Sequence, residues 1–264
     1  MITTDQIRSF AKTLKTNDMT AFREYLQHLF LSVLYNAPAS SRIYFKGGTA
    51  IHIIYRAPRF SEDLDFTVVL VEEAFQKAIH EIFFRLEKAE RLGFKERKTI
   101  AGKRYMMHTN NITGYPPTFI NLDFSFREDV LRPEKSIITS EFPVTFTGFV
   151  RHLSKEELFA EKIRAIMTRT KGRDLYDLWY LSTLGVRPDS AMVQKKLAYY
   201  RMKAPVAEAL LSRCEEMSES TFVTDLRPFV PAHEREKLTD LYTYIQEFLR
   251  RHLTLSSTEN TLAV

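Results

Sequence analysis

The chain has 264 residues, of which 44% are hydrophobic, and carries a formal net charge of +5. This length suits one large or two modest domains, and the hydrophobic content is sufficient for a packed core and excludes a disordered chain. The single cysteine, Cys214, excludes an internal disulfide framework and fits a reducing compartment. The N-terminal residues lack the basic and apolar regions of a signal peptide, and no apolar run is long enough to span a bilayer. We therefore expect a soluble, cytoplasmic protein, and the mildly basic charge is compatible with a polyanionic partner.

The first elements are a helical region and a strand that leads into a glycine turn. Residues 5–36 carry apolar side chains at spacings of three and four, which predicts helical structure that braces a sheet. Residues 43–45 form a short apolar strand, and Gly47 and Gly48 follow it directly before a helical segment. Glycine lets the backbone approach a ligand closely, and the N–H groups at a helix start can bind an anion. Since Thr49 adds a hydroxyl at the same point, the pattern predicts a phosphate-binding turn.

Two carboxylates follow in the next strand. Asp63 and Asp65 lie two residues apart in an apolar run, so they share one face of the predicted strand. Neighbouring carboxylates repel each other unless a cation lies between them, and Mg²⁺ prefers such oxygen ligands together with substrate phosphates. The loop before them contains Arg59, whose planar fork of donors suits a phosphate, and a solvated loop charge is the alternative. The stretch predicts a metal-binding strand beside the phosphate-binding turn.

The next segment combines a helix with β-structure. Residues 72–92 show the apolar periodicity of an amphipathic helix, which we expect Gly93 to end. Residues 94–100 and 104–109 are predicted to form a hairpin whose turn includes Gly102.

A further strand is predicted over residues 118–126. Asn121 and Asp123 share one face of it, and the apolar residues share the face that meets the core. A lone carboxylate is costly to bury, so Asp123 is either an exposed strand residue or part of a polar site. Glu128 and Asp129 are interpreted as loop charges.

The pattern changes from strands to helices near residue 150. Ser154 and Glu157 have the spacing of a capping box, which marks the start of a helix. We therefore predict an α+β protein with three segments: a first domain at 1–150, a helical domain at 151–255 and a flexible tail at 256–264.

Three polar residues stand out in the helical domain. Lys162 lies near the apolar side of the first helix, although a surface ion pair with an acid one turn away is the alternative. Asp174 and Asp177 are three residues apart at the start of the next helix, so both face one way. Capping and the helix dipole by themselves also favour an acid at a helix start.

Basic and aromatic residues alternate further along this domain. Residues 195–203 combine four basic residues with Tyr199 and Tyr200, a pattern that can bind an RNA backbone and stack on an unpaired base. A solvated helix face with buried tyrosines is the alternative that we favour. Residues 189–217 and 234–252 are predicted to contain further helices.

Two parts of the sequence carry a resemblance to a known family. The order Gly-Gly-Thr, a spacer and Asp-x-Asp resembles the signature of the polymerase-β-like nucleotidyltransferase superfamily. The fuller string FKGGTA…Y…RFSEDLDF resembles the AbiEii/AbiGii-type toxin nucleotidyltransferases of bacterial toxin–antitoxin and phage-defence systems. The string EELFAEKIRAIMTRTKGRDLYDLWYL, residues 156–181, resembles the helical motifs of the same family. The resemblance spans roughly residues 43–181.

The resemblance implies a polymerase-β-like domain with a mixed sheet flanked by helices, followed by an α-helical domain. It implies a nucleotidyltransferase that uses an NTP donor and Mg²⁺, with Mn²⁺ as the alternative ion. The metal ligands implied are Asp63, Asp65 and Asp123, and the nucleotide-binding residues are Gly47, Gly48, Thr49, Arg59 and Lys162. The catalytic residues implied are Asp63, Asp65, Asp123, Lys162, Asp174 and Asp177.

The resemblance also implies partners. The acceptor implied is RNA, notably the 3′ end of tRNA, with blocked translation as the result, and the protein partner implied is an antitoxin. Two alternatives stay open: nucleotidyl transfer to a small molecule or a protein, and a regulatory module that binds a nucleotide or RNA without catalysis. Intact Asp63 and Asp65 favour an enzyme, because a binding module does not need paired acids. The sequence does not indicate which NTP is used.

Overall fold

The structure, a computed structural model, describes residues 1–109, 118–203, 205 and 207–259. It divides into two compact units, Met1–Leu153 and Ser154–Val264, which we describe separately. The first unit contains a mixed sheet with helices, and the second is helical, so the chain is of the α+β class. None of the helices in the described ranges is long and apolar enough to cross a membrane.

The sheet of the first unit has seven strands in the order β3-β4-β5-β2-β1-β7-β6 within the described residues. The β2–β5 and β1–β7 pairs are parallel and the other pairs are antiparallel. The strands are β1 (Ile43–Lys46), β2 (Leu64–Val68), β3 (Leu92–Arg97), β4 (Lys103–Thr109), β5 (Phe119–Ser125), β6 (Pro133–Ser136) and β7 (Val150–Leu153).

The described residues of the first unit form the helices α1 (Thr4–Thr13), α2 (Asp18–Tyr35), α3 (Gly47–Ile53) and α4 (Glu72–Glu90). Helices α2 and α4 pack on one face of the sheet, and α1 packs on α2. The ring of Phe75 from α4 lies 4.8 Å from that of Phe124, and Phe124 stacks on Phe66 at 4.9 Å. Side chains alternate between the faces of a strand, so these core residues place the acids of β2 and β5 on the opposite face.

The predicted N-terminal helical region consists of two helices because the chain breaks between α1 and α2. Asn17 caps α2 by accepting a hydrogen bond from the Thr20 N–H at 2.8 Å. The predicted hairpin is confirmed by the antiparallel pairing of β3 with β4, and Gly102 in its turn has φ +79°.

Two predictions about this unit are wrong. Helix α4 ends at Glu90, and Arg91, rather than Gly93, adopts the left-handed conformation with φ 56°. Gly93 lies in β3, where a Cβ atom would come within 2.4 Å of the His108 ring. Glu128 is not a solvated loop charge, because its buried carboxylate lies 3.6 Å from Lys46 Nζ.

The described residues of the second unit form six α-helices. Ser154 caps the first of them by accepting from the Glu157 N–H at 3.2 Å. The Glu157 carboxylate binds Lys196 Nζ at 2.6 Å instead of completing the predicted capping box. The helices are α5 (Lys155–Thr168), α6 (Gly172–Thr183), α7 (Ser190–Ala198), α8 (Ala207–Glu215), α9 (Glu219–Leu226) and α10 (Leu238–Glu259).

The basic and aromatic stretch at 195–203 is partly internal. Lys196 is fully buried between Glu157 and Glu161, and Tyr200 packs against the Arg164 guanidinium at 4.4 Å. Both interpretations of this stretch are therefore wrong for Lys196, because a buried ammonium group that binds two carboxylates is neither solvated nor accessible to RNA. Helix α10 continues to Glu259, within the segment predicted as a tail, and residues 260–264 lie outside the described residues.

Candidate active site

The turn between β1 and α3 brings the backbone against two charged side chains. Gly47 has φ +76°, and a Cβ atom there would lie 2.3 Å from Asp65 Oδ2. A Cβ atom at Gly48 would lie 2.4 Å from Arg59 Nη2. A side chain at Gly47 would be strained by the positive φ and would displace the Asp65 carboxylate, whereas one at Gly48 would displace the end of the Arg59 side chain.

Two polar side chains join this turn to the loop before β2. The fully buried Thr49 hydroxyl donates a hydrogen bond to the backbone carbonyl of Asp63. Arg59 is 2% exposed, and its Nη1 donates to the Phe60 carbonyl at 3.0 Å. The alternative of a solvated loop charge is therefore excluded for Arg59.

The three predicted metal ligands lie on one face of the sheet, which we call the acid face. Asp65 is the register partner of Asp123 on the parallel strand β5. Asp63, at the start of β2, accepts a hydrogen bond from Asn121 Nδ2 at 3.0 Å. The Asp123 carboxylate accepts from Arg104 Nε at 2.5 Å.

The charges on the acid face influence one another. Burial raises the pKa of Asp123; the ion pair with Arg104 opposes this rise in part, and the negative charge of Asp63 adds to it. The hydrogen bond with Asp123 raises the pKa of Arg104, and the charges of Asp63 and Asp65 raise it further. All three carboxylates thus act on the Arg104 guanidinium.

The residues on the acid face fit a divalent cation that also has ligands from a substrate. Carboxylates are hard oxygen donors of the kind that Mg²⁺ prefers. Across the described ranges, no three Asp, Glu, His or Cys side chains converge as a closed metal cage. Mg²⁺ is usually held by one or two carboxylates with waters and substrate phosphates, so a closed protein cage is not required.

Several supporting residues were not identified from the sequence. Gln27 Nε2 on α2 donates to the backbone carbonyls of Ser61 at 3.0 Å and Glu62 at 3.1 Å. Arg23, one turn earlier, binds the Glu62 carboxylate at 3.0 Å. These contacts hold the loop that precedes β2. The available signal was that Arg23 and Gln27 lie four residues apart and so share one face of the helix. Arg104 gave no signal outside its strand pairing.

A second cluster lies in the helical unit. Lys162 Nζ binds Asp174 Oδ1 at 2.9 Å and Asp177 Oδ2 at 2.7 Å, and all three side chains are buried. The alternative of a surface ion pair is therefore excluded for Lys162. The Arg169 guanidinium also binds Asp174, with its Nε at 2.7 Å from Oδ2.

These cations control the ionisation of Asp174. Burial by itself raises the pKa of this carboxyl, but Lys162 and Arg169 outweigh that effect and hold the pKa well below its ordinary value. Asp174 is therefore an ionised partner of two cations. Its position is explained by these ion pairs and not only by the general preference for an acid at a helix start. Arg173 instead lies over the Phe229 ring at 4.3 Å.

The predicted site residues thus fall into two groups. The first unit brings together Gly47, Gly48, Thr49, Arg59, Asp63, Asp65 and Asp123. The second unit brings together Lys162, Asp174 and Asp177.

A family model described as "Nucleotidyl transferase AbiEii toxin, Type IV TA system" matches residues 29–255 of the chain. No curated protein sequence matches the chain. Among solved structures, the nucleotidyltransferase toxin MenT4 from Mycobacterium tuberculosis aligns with a TM-score of 0.64 and 18% identity, over 95% of this chain and 90% of that chain. The protein JHP933 from Helicobacter pylori aligns with a TM-score of 0.52 and 19% identity, over 94% and 99% of the two chains. These structures share the fold.

Proposed function

The chain belongs to the AbiEii family of nucleotidyltransferase toxins of type IV toxin–antitoxin systems, and from this membership we propose that it transfers a nucleoside monophosphate from an NTP to RNA, at the 3′ end of tRNA. The family implies an NTP substrate and an antitoxin partner. The net charge of +5 is compatible with an RNA acceptor. Transfer to the 3′ end would block translation, because the terminal 3′-hydroxyl becomes part of a phosphodiester and the tRNA no longer ends at the nucleotide that accepts the amino acid.

One observation carries the proposal for the site. Asp65 is the register partner of Asp123, and its carboxylate lies directly against Gly47 of the β1–α3 turn. A phosphate bound at the turn would therefore be adjacent to two carboxylates that can share a cation with it. In this proposal the metal ligands are Asp63, Asp65 and Asp123, and the ion is Mg²⁺. When bound, such an ion neutralises triphosphate charge and lowers the pKa of an attacking hydroxyl.

The turn supplies the phosphate contacts. The backbone N–H groups of Gly47 and Gly48 would donate to the β- and γ-phosphates, since the absence of side chains permits close approach. Thr49 keeps the turn and Asp63 in register through its hydrogen bond to the Asp63 carbonyl. Arg59 places positive charge against Gly48, where it would oppose the charge of the phosphates.

The reaction is an in-line displacement at the α-phosphorus. The acceptor hydroxyl oxygen forms a bond to the α-phosphorus, the bond from that phosphorus to the bridging oxygen breaks, and pyrophosphate leaves. In this proposal Asp123 accepts the hydroxyl proton, and the rise in its pKa caused by burial and by the charge of Asp63 supports that role. Catalysis rests on positioning and on electrostatic stabilisation.

Lys162 of the helical unit is the remaining residue of the proposal. Asp174 and Asp177 fix the position of its ammonium group through contacts of 2.9 Å and 2.7 Å. We propose that Lys162 binds nucleotide phosphates and that both aspartates are positioning residues for it.

The test is transfer of label. The purified protein is incubated with Mg²⁺, total tRNA and each α-³²P nucleotide in turn, beside the Asp65→Asn variant. We expect label on tRNA with the wild type only, and the labelled nucleotide identifies the base used.

Periodate-oxidised tRNA, which lacks an intact 3′-terminal ribose, is the matched acceptor control and should stay unlabelled. Label on protein or on a small molecule would contradict the RNA acceptor. Equal labelling by the Asp65→Asn variant would contradict the proposed site.

A further inference from the structure

The acid face continues across the sheet into a basic surface. The register places Asp65 opposite Asp123, Asp123 opposite Arg104, and Arg104 opposite Arg97. Directly opposed residues share a face, and neighbouring strands are about 4.8 Å apart. Arg97 therefore lies about 10 Å beyond Asp123, in line with the acids.

The positive charge on this side is not balanced locally. Lys95 and Arg97 are exposed, and within the described ranges neither has an acidic partner; Arg97 Nη2 contacts only the Met106 sulfur, at 3.1 Å. Glu96, the only acid between residues 92 and 109, points to the other face, where Lys103 binds it at 3.2 Å. The hairpin thus presents uncompensated cations on the acid face.

The same face also carries an exposed aromatic ring. Phe119 is two positions before Asn121 and four before Asp123 on β5, so all three share a face. Its side chain is 55% exposed, whereas the alternate apolar residues of β5 are buried. It lies about 13 Å along the strand from Asp123.

The in-line geometry of the proposed reaction indicates which substrate lies over this surface. In an in-line displacement, the attacking and leaving oxygens lie on opposite sides of the phosphorus. The proposed triphosphate position is at the β1–α3 turn, on the β1 side of the acids. The attacking hydroxyl must therefore arrive from the β4 and β3 side, which is where the register places Arg104 and Arg97.

We propose that the basic hairpin, defined as Lys95, Arg97 and Arg104 with Phe119 beside it, binds the single-stranded end of the RNA acceptor. This inference rests on the proposed function. The cations bind the phosphates that precede the attacking nucleotide, and Phe119 stacks on one of its bases. Arg104 also positions Asp123 through its 2.5 Å hydrogen bond, which couples the acceptor surface to the acid that accepts the proton.

The experiment measures binding of a 5′-fluorescein-labelled single-stranded oligoribonucleotide by fluorescence anisotropy over a range of salt concentrations. The test variant is Lys95→Gln/Arg97→Gln, neither of which is in the catalytic site. The matched control is Lys77→Gln/Lys88→Gln, which removes two exposed charges from α4, on the opposite face of the sheet.

We expect the test variant to bind RNA about tenfold or more weakly than the wild type near physiological salt. The slope of log affinity against log salt should fall by about 1.4, since each lost phosphate contact on a single strand contributes about 0.7. Phe119→Ala should weaken binding about tenfold with an unchanged slope, because stacking releases no counterions. The affinity for NTP and the melting temperature should equal those of the control for all variants.

The outcomes separate this surface from the proposed function. If the wild type transfers a nucleotide to RNA and the test variant binds RNA as tightly as the control does, the proposed RNA-binding role of the hairpin is wrong and the proposed function stands. Wild-type binding through the hairpin without any transfer to RNA supports the surface and counts against the function. A wild-type protein that binds no RNA overturns both.

Discussion

The two units of the chain each gather aspartates around basic side chains, but the balance of charge differs between them. On the acid face, the three carboxylates are partly exposed, and all three raise the pKa of the half-exposed Arg104. In the helical unit, Asp174 and Asp177 are almost fully buried and bind Lys162, with Arg169 on Asp174 as well. The acids of the first group are accessible to an incoming cation, whereas those of the second group are buried against the cations that they bind.

The comparison separates two uses of the same residue type. An accessible carboxylate that is repelled by neighbouring carboxylates is stabilised most when a cation binds. A buried carboxylate that is already paired cannot lose its partner without a large cost, so it acts by holding that partner in place. Substitutions in the first group should therefore affect activity, and those in the second group should affect stability as well.

The largest expected effect is on catalysis. Asp65→Asn removes one negative charge at constant shape and should lower the rate of nucleotidyl transfer about a thousandfold, or about 4 kcal/mol. The melting temperature should change little, because the carboxylate is partly exposed. Transfer rates and calorimetry on the same preparation check both statements. If Asp65→Asn lost its fold together with its activity, the acid face would not differ from the helical cluster in its effect on stability.

The next effect is on stability. Asp177→Ala leaves the Lys162 ammonium without one of its two buried partners and should lower the free energy of unfolding by about 3 kcal/mol. Asp63→Ala should change it by less than about 1 kcal/mol, because the loss of the Asn121 hydrogen bond is offset by reduced repulsion. Urea unfolding of both variants measures the difference. Equal costs would show that the two groups are not distinct.

A smaller effect is expected from the glycine turn. Gly47→Ala should cost about 1–3 kcal/mol of stability because of its φ of +76° and the contact with Asp65, and it should also reduce transfer. The matched control is Gly185→Ala in the helical unit, where φ is +78° and no atom lies within 4 Å of the added Cβ. The control should show a cost from backbone strain alone and normal transfer. Normal transfer by Gly47→Ala would contradict the role of the turn.

The last prediction concerns pH, whose effect on stability differs in its range between the units. Burial lowers the pKa of His28 to about 4, with Glu24 opposing the shift, so the first unit loses stability as pH falls from about 6.5 to 4. The slope is at most about 1.4 kcal/mol per pH unit. The pKa of Asp174 is depressed, so its contribution is present above the unfolded value of 3.8 and is lost only as pH falls below it. Urea unfolding against pH should show the loss between pH 6.5 and 4 reduced in His28→Gln and retained in full in Asp174→Asn. A remainder in His28→Gln is expected from His152, because burial lowers the pKa of that residue as well.

The sequence by itself determined the elements in which the chemistry is local. The diglycine, the alternation of Asp63 and Asp65 and the spacing of Asp174 and Asp177 are set by residues close in the chain, as are the motifs that carry the family resemblance. Strand periodicity also assigned Asp123 to the polar face of β5, because side-chain direction depends only on position within the strand.

The tertiary structure decided which residues meet across the chain. The register of β5 with β2 and β4 places Asp123 between Asp65 and Arg104, and strand order is not encoded in any local period. The burial of Lys162, Lys196 and Glu128 likewise depended on partners more than ten residues away in the sequence. Charged residues look alike in a sequence whether they are solvated or buried, because the compensating partner that permits burial is supplied only by the fold.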